Sequence, residues 1–342
     1  MNSTPSVTTL IPTYNRALLL SRAIESARKQ THKNIEILIS DNASNDNTGE
    51  MCREIAKLDE RVKYIKNTLN LGSHENFRQG IKKIKTDYFS ILSDDDYLDL
   101  SFYENGLRLF EKYPEAKIAV FTVHVIDKDD KYLYANENYV VNGDEYHSPI
   151  NAITELMNSK INTTWTGWLF KKEIAEVFDL GPEIEFGPAA DIYFIWHAVA
   201  RYGCVVTNLK AANFTMHDDN FSLKQSFFDE RLVYWWRKRI KTILSDNHIS
   251  YEVKKKLECY YFKNSAGTLR SKLNYAKATY VLIKSRYKYS EKYILKFELV
   301  DMQLFLPKII IISIQIMVIA INRLEFINSI YLTLKRSNKN QK

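Results

Sequence analysis

The chain has 342 residues, 45% apolar and 26% charged, with 10 glycines and 7 prolines. That balance excludes a disordered or low-complexity chain and leaves room for one large domain or two smaller ones. The net charge of +7 hides an asymmetry: residues 231–342 carry 23 Lys and Arg against 7 Asp and Glu, a net of +16, whereas residues 1–230 carry 25 against 34, a net of −9.

Two parts with different surroundings are therefore expected, 1–225 and 226–342. The basic part suits anionic lipid or nucleic acid, or is a solvated helical surface. Cys52, Cys204 and Cys259 are odd in number and far apart. They fit neither a disulfide framework nor a zinc site, which points to a reducing cytosol. The N-terminus has no basic stretch leading into an apolar core, so no secretory signal is expected.

In chain order, the run "VTTLIP" (7–12) predicts a buried strand. Residues 15–30 have helical spacing at Leu19, Ala23, Ile24 and Ala27. "IEILISD" (35–41) predicts a second buried strand, 45–58 a helix with Asn/Asp caps, and "VKYIKN" (62–67) a short third strand. A helix is expected over 73–85 with Ser73 as N-cap, and "YFSILS" (88–93) predicts a fourth strand. This β-α-β-α-β-α-β alternation argues for a parallel sheet covered by helices. Beyond it, helices are expected over 97–114, 151–159 and 188–203, with Gly203 as the stop of the last. Strands are expected over 117–127 and 204–217, a turn-rich region with a hairpin over 127–148, and a strand running into a helix over 163–178.

Ligands of such sheets bind outside the carboxyl ends of the strands. The polar clusters fall there: "TYNR" after the first strand, "DNASND" after the second, "NLGS" after the third and "DDD" after the fourth. In the last, Asp94, Asp95 and Asp96 repel one another, and each raises the pKa of its neighbours. A divalent cation with a diphosphate among its ligands would relieve that repulsion, and oxygen donors suit Mg²⁺ or Mn²⁺. The alternative is a solvated helix-capping turn.

With those residues in view, "VTTLIPTYNRALLLSRAIESARKQTHKNIEILISDNASNDNTGE" and "ILSDDDYL" resemble the opening and the Asp-x-Asp region of the family-2 glycosyltransferases. The likeness is strong over 7–100, looser over 101–225 and absent beyond. It implies the GT-A fold, an α/β architecture with a mostly parallel sheet flanked by helices; after about residue 226 the pattern itself turns helical, aromatic and Lys-rich, which predicts a C-terminal α-helical module. It also implies an inverting transfer from a nucleotide-diphosphate donor, usually a UDP-sugar, to an acceptor hydroxyl in bacterial polysaccharide or glycolipid assembly.

Carried over by position, Pro12, Thr13, Tyr14 and Arg16 would lie at the nucleotide end. Asp41 would accept from the base with Asn42 beside it, and Asn70 and Gly72 would line the base and ribose. In the triplet two registers are open: Asp95 on the metal with Asp94 near the ribose, or Asp94 and Asp96 as the spaced pair. Asp95 and Asp96 are the favoured metal ligands. His217, in "FTMHDDNFS", would sit near the metal or diphosphate, or serve structure. Asp191 would be the base that activates the acceptor, although Ala190 stands where the family often has Glu; its other reading is a first-turn residue facing the helix dipole. Trp165 and Trp168 form an acceptor platform or belong to the core.

In the stretch 305–324 the apolar run from Ile309 to Ile321 has about 13 residues, short of the roughly 20 that span a bilayer, so a buried or interfacial helix is expected. With its basic flanks it suits peripheral attachment to the inner face of a membrane and a lipid-linked acceptor; the alternative is an oligomer interface or a packed helical cap. A nucleotidyltransferase would need a Gly-rich loop after the first strand, which "PTYNRALLL" lacks. A polyanion-binding protein would leave the front-half constellation unexplained, so no nucleic-acid partner is expected.

Overall fold

The computed structural model describes residues 4–138, 143–179, 190–217 and 240–260. The chain divides into two compact units, Met1–Tyr260 and Tyr261–Lys342, and every described residue lies in the first. The segments 226–239 and 261–342, including 305–324, fall outside the described residues. Among those described, no helix is long and apolar enough to cross a membrane.

The front of the unit follows the expected alternation: β1 (Val7–Thr13), α1 (Ala17–Arg28), β2 (Ile35–Asp41), α2 (Thr48–Leu58), β3 (Val62–Lys66), α3 (Ser73–Ile81) and β4 (Tyr88–Ile91). There follow β5 (Tyr97–Leu98), α4 (Phe102–Lys112), β6 (Ile118–Asp127), β7 (Tyr132–Asn136), β8 (Asp144–His147), α5 (Pro149–Met157), β9 (Trp168–Lys171), α6 (Ala175–Asp179), α7 (Ala190–Tyr202) and β10 (Cys204–Met216). Residues 240–245 and 251–260 are helical.

One sheet runs in the order β3-β2-β1-β4-β9-β6-β10-β5, with β7 beside β6 and β8 beside β10. β1 lies between β2 and β4, parallel to both, and all seven of its residues are buried. A strand covered on both faces needs that unbroken apolar reading. β9 is antiparallel to both β4 and β6, and β10 is parallel to β6. The carboxyl ends of β1, β2, β4, β6 and β10 therefore open on the same edge of the sheet. Register shifts in β10 between Val206 and Ala212 bend that long strand.

Several local expectations shift. The buried face of α1 is Leu20, Ala23, Ile24 and Ala27, so Leu20 takes the place expected of Leu19; these four keep the i, i+3, i+4, i+7 spacing of one helical face. Gly72, at φ +82°, caps α3, and Ser73 is its first helical residue. The helix expected to begin at 97 begins at Phe102, because Tyr97 and Leu98 pair with Asn213 and Ala212 of β10. The hairpin expected within 127–148 is instead formed by β6 and β7, while β8 pairs with β10.

The end of α1 is tied to the layer behind it by Gln30. Its side-chain amide donates to the Asp99 carbonyl (2.7 Å), and the Thr31 amide donates to the Leu100 carbonyl (2.9 Å). Cys52 and Cys204 are buried free thiols, and burial pushes both up to about 12, which leaves them unreactive. Residues 240–260 place Ile240, Ile243, Ile249, Val253 and Leu257 in the interior. They meet α7 through Trp196 and Tyr260, rings 5.6 Å apart, and through His197 Nε2 and Asp246 Oδ2 at 2.8 Å.

Gly203 ends α7 as expected, with φ +66° and its N–H donating to the Val199 carbonyl (2.9 Å). A Cβ there would run into the His147 carbonyl oxygen and approach Pro149 N to 3.0 Å. The left-handed conformation alone costs a side chain about 1–2 kcal/mol. Gly203→Ala is expected to lower the melting temperature by about 4 °C or more; an unchanged melting curve would mean that this corner relaxes freely.

A candidate active site at the carboxyl edge of the sheet

The first half of the site lies where β1 and β2 end. Asp41 is fully buried, accepting from the Tyr64 hydroxyl (2.6 Å) and the Ser44 amide (2.8 Å). Burial and this bond raise the Tyr64 pKa, so the phenol stays a donor. Asn42 donates through Nδ2 to Asn70 Oδ1 (2.8 Å) and accepts at Oδ1 from the Leu71 amide (2.9 Å). The Gly72 amide also donates to Asn70 Oδ1 (2.9 Å). Behind them Asn76 bonds Ser40 and accepts from Asn67 (3.0 Å), which holds the 67–72 loop against the sheet.

Asn15 and Ala43 both have positive φ, +53° and +66°. The two turns are bound to each other: Asn15 N donates to Ser44 Oγ and Asn45 N to Asn15 Oδ1, both at 2.8 Å. Pro12 is buried opposite Ser40, and Tyr14 is exposed beside the turn.

The second half is the acidic triplet, in which no residue is more than 6% exposed. The triplet does not point into bulk water, and its members have different surroundings. Asp94 accepts from Thr13 Oγ1 (2.7 Å) and Arg16 Nη1 (3.0 Å). Asp95 Oδ2 accepts from Arg16 Nη1 (2.8 Å) and lies 3.2 Å from His217 Nε2. Asp96 is fully buried, and its two oxygens accept from Thr166 Oγ1 (2.5 Å) and the Thr215 amide (2.9 Å). Burial first, and the Asp95 charge second, push Asp94 up to about 6 and Asp96 well above the usual carboxylate range. Burial works to lower the Arg16 pKa, but Asp94 and Asp95 outweigh it.

This geometry sorts the candidate donors. The expected pairing of Asp95 with Asp96 around a cation gives way, because both Asp96 oxygens are engaged inside the protein and hold β10 to the acidic loop. Of the three expected donors, Asp95 and His217 meet, Oδ2 to Nε2 at 3.2 Å. Among the described residues, no group of three or more His, Cys, Asp or Glu is arranged to hold a metal. Two protein donors beside an open crevice fit Mg²⁺ or Mn²⁺, which usually keep waters and take phosphate oxygens.

Trp165 donates to Ser93 Oγ (3.1 Å), and its ring lies 4.4 Å from that of Phe77, so it borders the acidic loop. Trp168 is not a platform: it is fully buried and stacks on Phe170 in the core. Asp191 is half-buried in the first turn of α7. Tyr64, Asn76, Thr166 and Arg22 were not anticipated. Tyr64, Asn76 and Arg22 reach the site from within β3, α3 and α1, and Thr166 from the short turn before β9.

The electrostatics give a pH signature. Between about pH 4 and pH 6 the folded protein holds the Asp94 proton more tightly than the unfolded chain, so stability falls as pH rises through this window. Asp94→Asn removes the charge and keeps the shape. It is expected to raise the melting temperature at pH 7 by a few degrees and to have little effect at pH 4. A lower melting temperature at pH 7 would mean that the pairing with Arg16 outweighs the cost of burial.

Comparison with known proteins bears on this geometry. A 95-residue segment, 28% of the chain, is 35% identical to 31% of a GalNAc(5)-diNAcBac-PP-undecaprenol beta-1,3-glucosyltransferase of Campylobacter jejuni. The chain spans between 26% and 49% of the length of three of its curated relatives. In structure it is similar to Staphylococcus aureus TarS 1-349 in complex with UDP-GlcNAc, with a TM-score of 0.58 at 12% identity, covering 75% of this chain and 71% of that one. It is also similar to the mannosyltransferase PcManGT of Pyrobaculum calidifontis in complex with GDP-Man and Mn²⁺, with a TM-score of 0.56 at 15% identity, covering 84% of this chain and 77% of that one. The sheet and its flanking helices are those of the GT-A fold. The sequence pattern of Glycosyl transferase family 2 matches residues 8–178, half of the chain, and the protein belongs to that family.

Proposed function

We propose that this chain transfers a hexosyl group from a nucleoside-diphosphate sugar, with UDP the first candidate base carrier, to an acceptor hydroxyl with inversion at the anomeric carbon. The observation that carries this reading is the meeting of Thr13, Arg16, Asp94, Asp95 and His217 at one point from the ends of three strands. Such a point suits a diphosphate and its counter-ion. The UDP-GlcNAc and GDP-Man complexes of the two structural relatives support a nucleotide-sugar donor.

Asp41, Asn42, Asn70 and Gly72 would hold the base and ribose. Asp95 and His217 would hold Mn²⁺ or Mg²⁺, which supplies charge stabilisation to the departing diphosphate. Arg16 would hold Asp94 and Asp95 oriented in the same place. Asp191, a half-buried carboxylate in the first turn of α7, would take the proton of the acceptor hydroxyl. Trp165 would border the acceptor.

The basic excess of residues 231–342 favours an acceptor carried on an anionic membrane at its inner face, in polysaccharide or glycolipid assembly. The undecaprenol in the name of the Campylobacter relative fits a lipid-linked acceptor.

A panel of sugar nucleotides with and without Mn²⁺ tests this. At a hundredfold excess over its dissociation constant, the matching donor is expected to stabilise the fold by about 2.7 kcal/mol, read as a rise of roughly 5–10 °C. Asp95→Asn should remove the Mn²⁺-dependent part of that rise. Asp191→Asn should keep donor binding and lose at least about 100-fold in turnover. Full turnover in Asp191→Asn would assign the base elsewhere, and stabilisation indifferent to Asp95→Asn would remove the metal assignment.

A further inference from the structure

We propose that Arg22 is a positioning residue that sets the separation of Asp95 and His217. The inference rests on the reading of those two side chains as the cation donors. Arg22 lies in the second turn of α1, and its side chain is 29% exposed. Nη2 donates to the main-chain carbonyl of Asp95 (2.8 Å) and to Thr215 Oγ1 (2.5 Å). Nη1 donates to Asp130 Oδ1 (2.7 Å), and the guanidinium lies over the Tyr97 ring, 4.8 Å from its centroid.

One planar group therefore touches the acidic loop, the end of β10 two residues before His217, the β6–β7 turn and β5. The two arginines near the triplet divide the work. Arg16 bonds the carboxylates of Asp94 and Asp95 and compensates their charge. Arg22 bonds the backbone of Asp95, so its contribution is geometric.

The topology gives such a brace its place. The acidic loop runs directly into β5, and β5 pairs with β10 over only two residues, Tyr97 with Asn213 and Leu98 with Ala212, so that ladder stops two residues short of Thr215. Beyond that ladder, at Thr215, Asp96 ties the loop to the main-chain amide and Arg22 ties it to the hydroxyl. Two acceptors on one nitrogen of a rigid fork are held at a fixed spacing. A lysine ammonium on a flexible stem keeps the charge and loses that constraint.

The test uses the full chain, titrated with Mn²⁺ in the presence of UDP, and separately with UDP alone. Arg22→Gln and Arg22→Lys should each weaken Mn²⁺ binding by about 10–100-fold, the usual cost of losing a partner behind a metal ligand. Binding of UDP without metal should not change. Asp130→Asn, which alters only the outer contact, should bind Mn²⁺ as the parent does. Thr215→Val removes one acceptor and should weaken Mn²⁺ binding several-fold, and it decides the matter if both Arg22 variants fail to fold. Parental Mn²⁺ affinity in Arg22→Gln, full rescue by Arg22→Lys, or parental affinity in Thr215→Val would each overturn the proposal. Asp95→Asn serves as the reference: if it also binds Mn²⁺ normally, the failure belongs to the metal-site reading and not to Arg22.

Discussion

Three adjacent carboxylates almost wholly removed from solvent are the constraint around which this fold is arranged. An isolated buried carboxylate is very costly, so each must be neutralised, bonded or protonated. The chain uses a different answer for each position. Asp94 leans on a strand-end hydroxyl and a guanidinium, Asp95 on the same guanidinium and an imidazole, and Asp96 on a hydroxyl and a main-chain amide. Those partners come from β1, the start of α1, the segment before β9, and β10. The acidic loop thus fastens the first half of the sheet to the second.

The sheet makes this possible. A purely sequential parallel sheet would have left the late strands far from the early ones. Here β9 enters antiparallel between β4 and β6, and β10 then runs parallel to β6. The reversal brings Thr166 to Asp96 from just before β9, and the bend in β10 brings Thr215 and His217 to the triplet.

Much of this was legible in the sequence, for identifiable reasons. β1, β2 and β4 are buried on both faces, and their apolar runs end in polar clusters that the parallel topology must place on one edge. That is why Thr13, Asp41 and the triplet could be named as neighbours before any coordinates. What the sequence did not show was the division of labour inside the triplet. Three identical side chains in a row carry no local signal of which one faces inward, and the answer lies in Thr166 and Thr215, 70 and 119 residues away from Asp96. Trp168 was equally ambiguous, since an indole in "TTWTGW" suits a platform as well as a core; it opens β9, a strand between β4 and β6 whose first three residues are all buried. β5 escaped notice because two residues are too few to show a period.

Ala43 and Asn15 have a further consequence. Each adopts a backbone conformation that L side chains ordinarily avoid, and the two turns latch onto each other through Ser44 and Asn45. The distortion is sustained by the finished fold, independent of any visitor to the crevice. Whatever disorder a visitor to that edge would have to quench, none of it lies in these two turns.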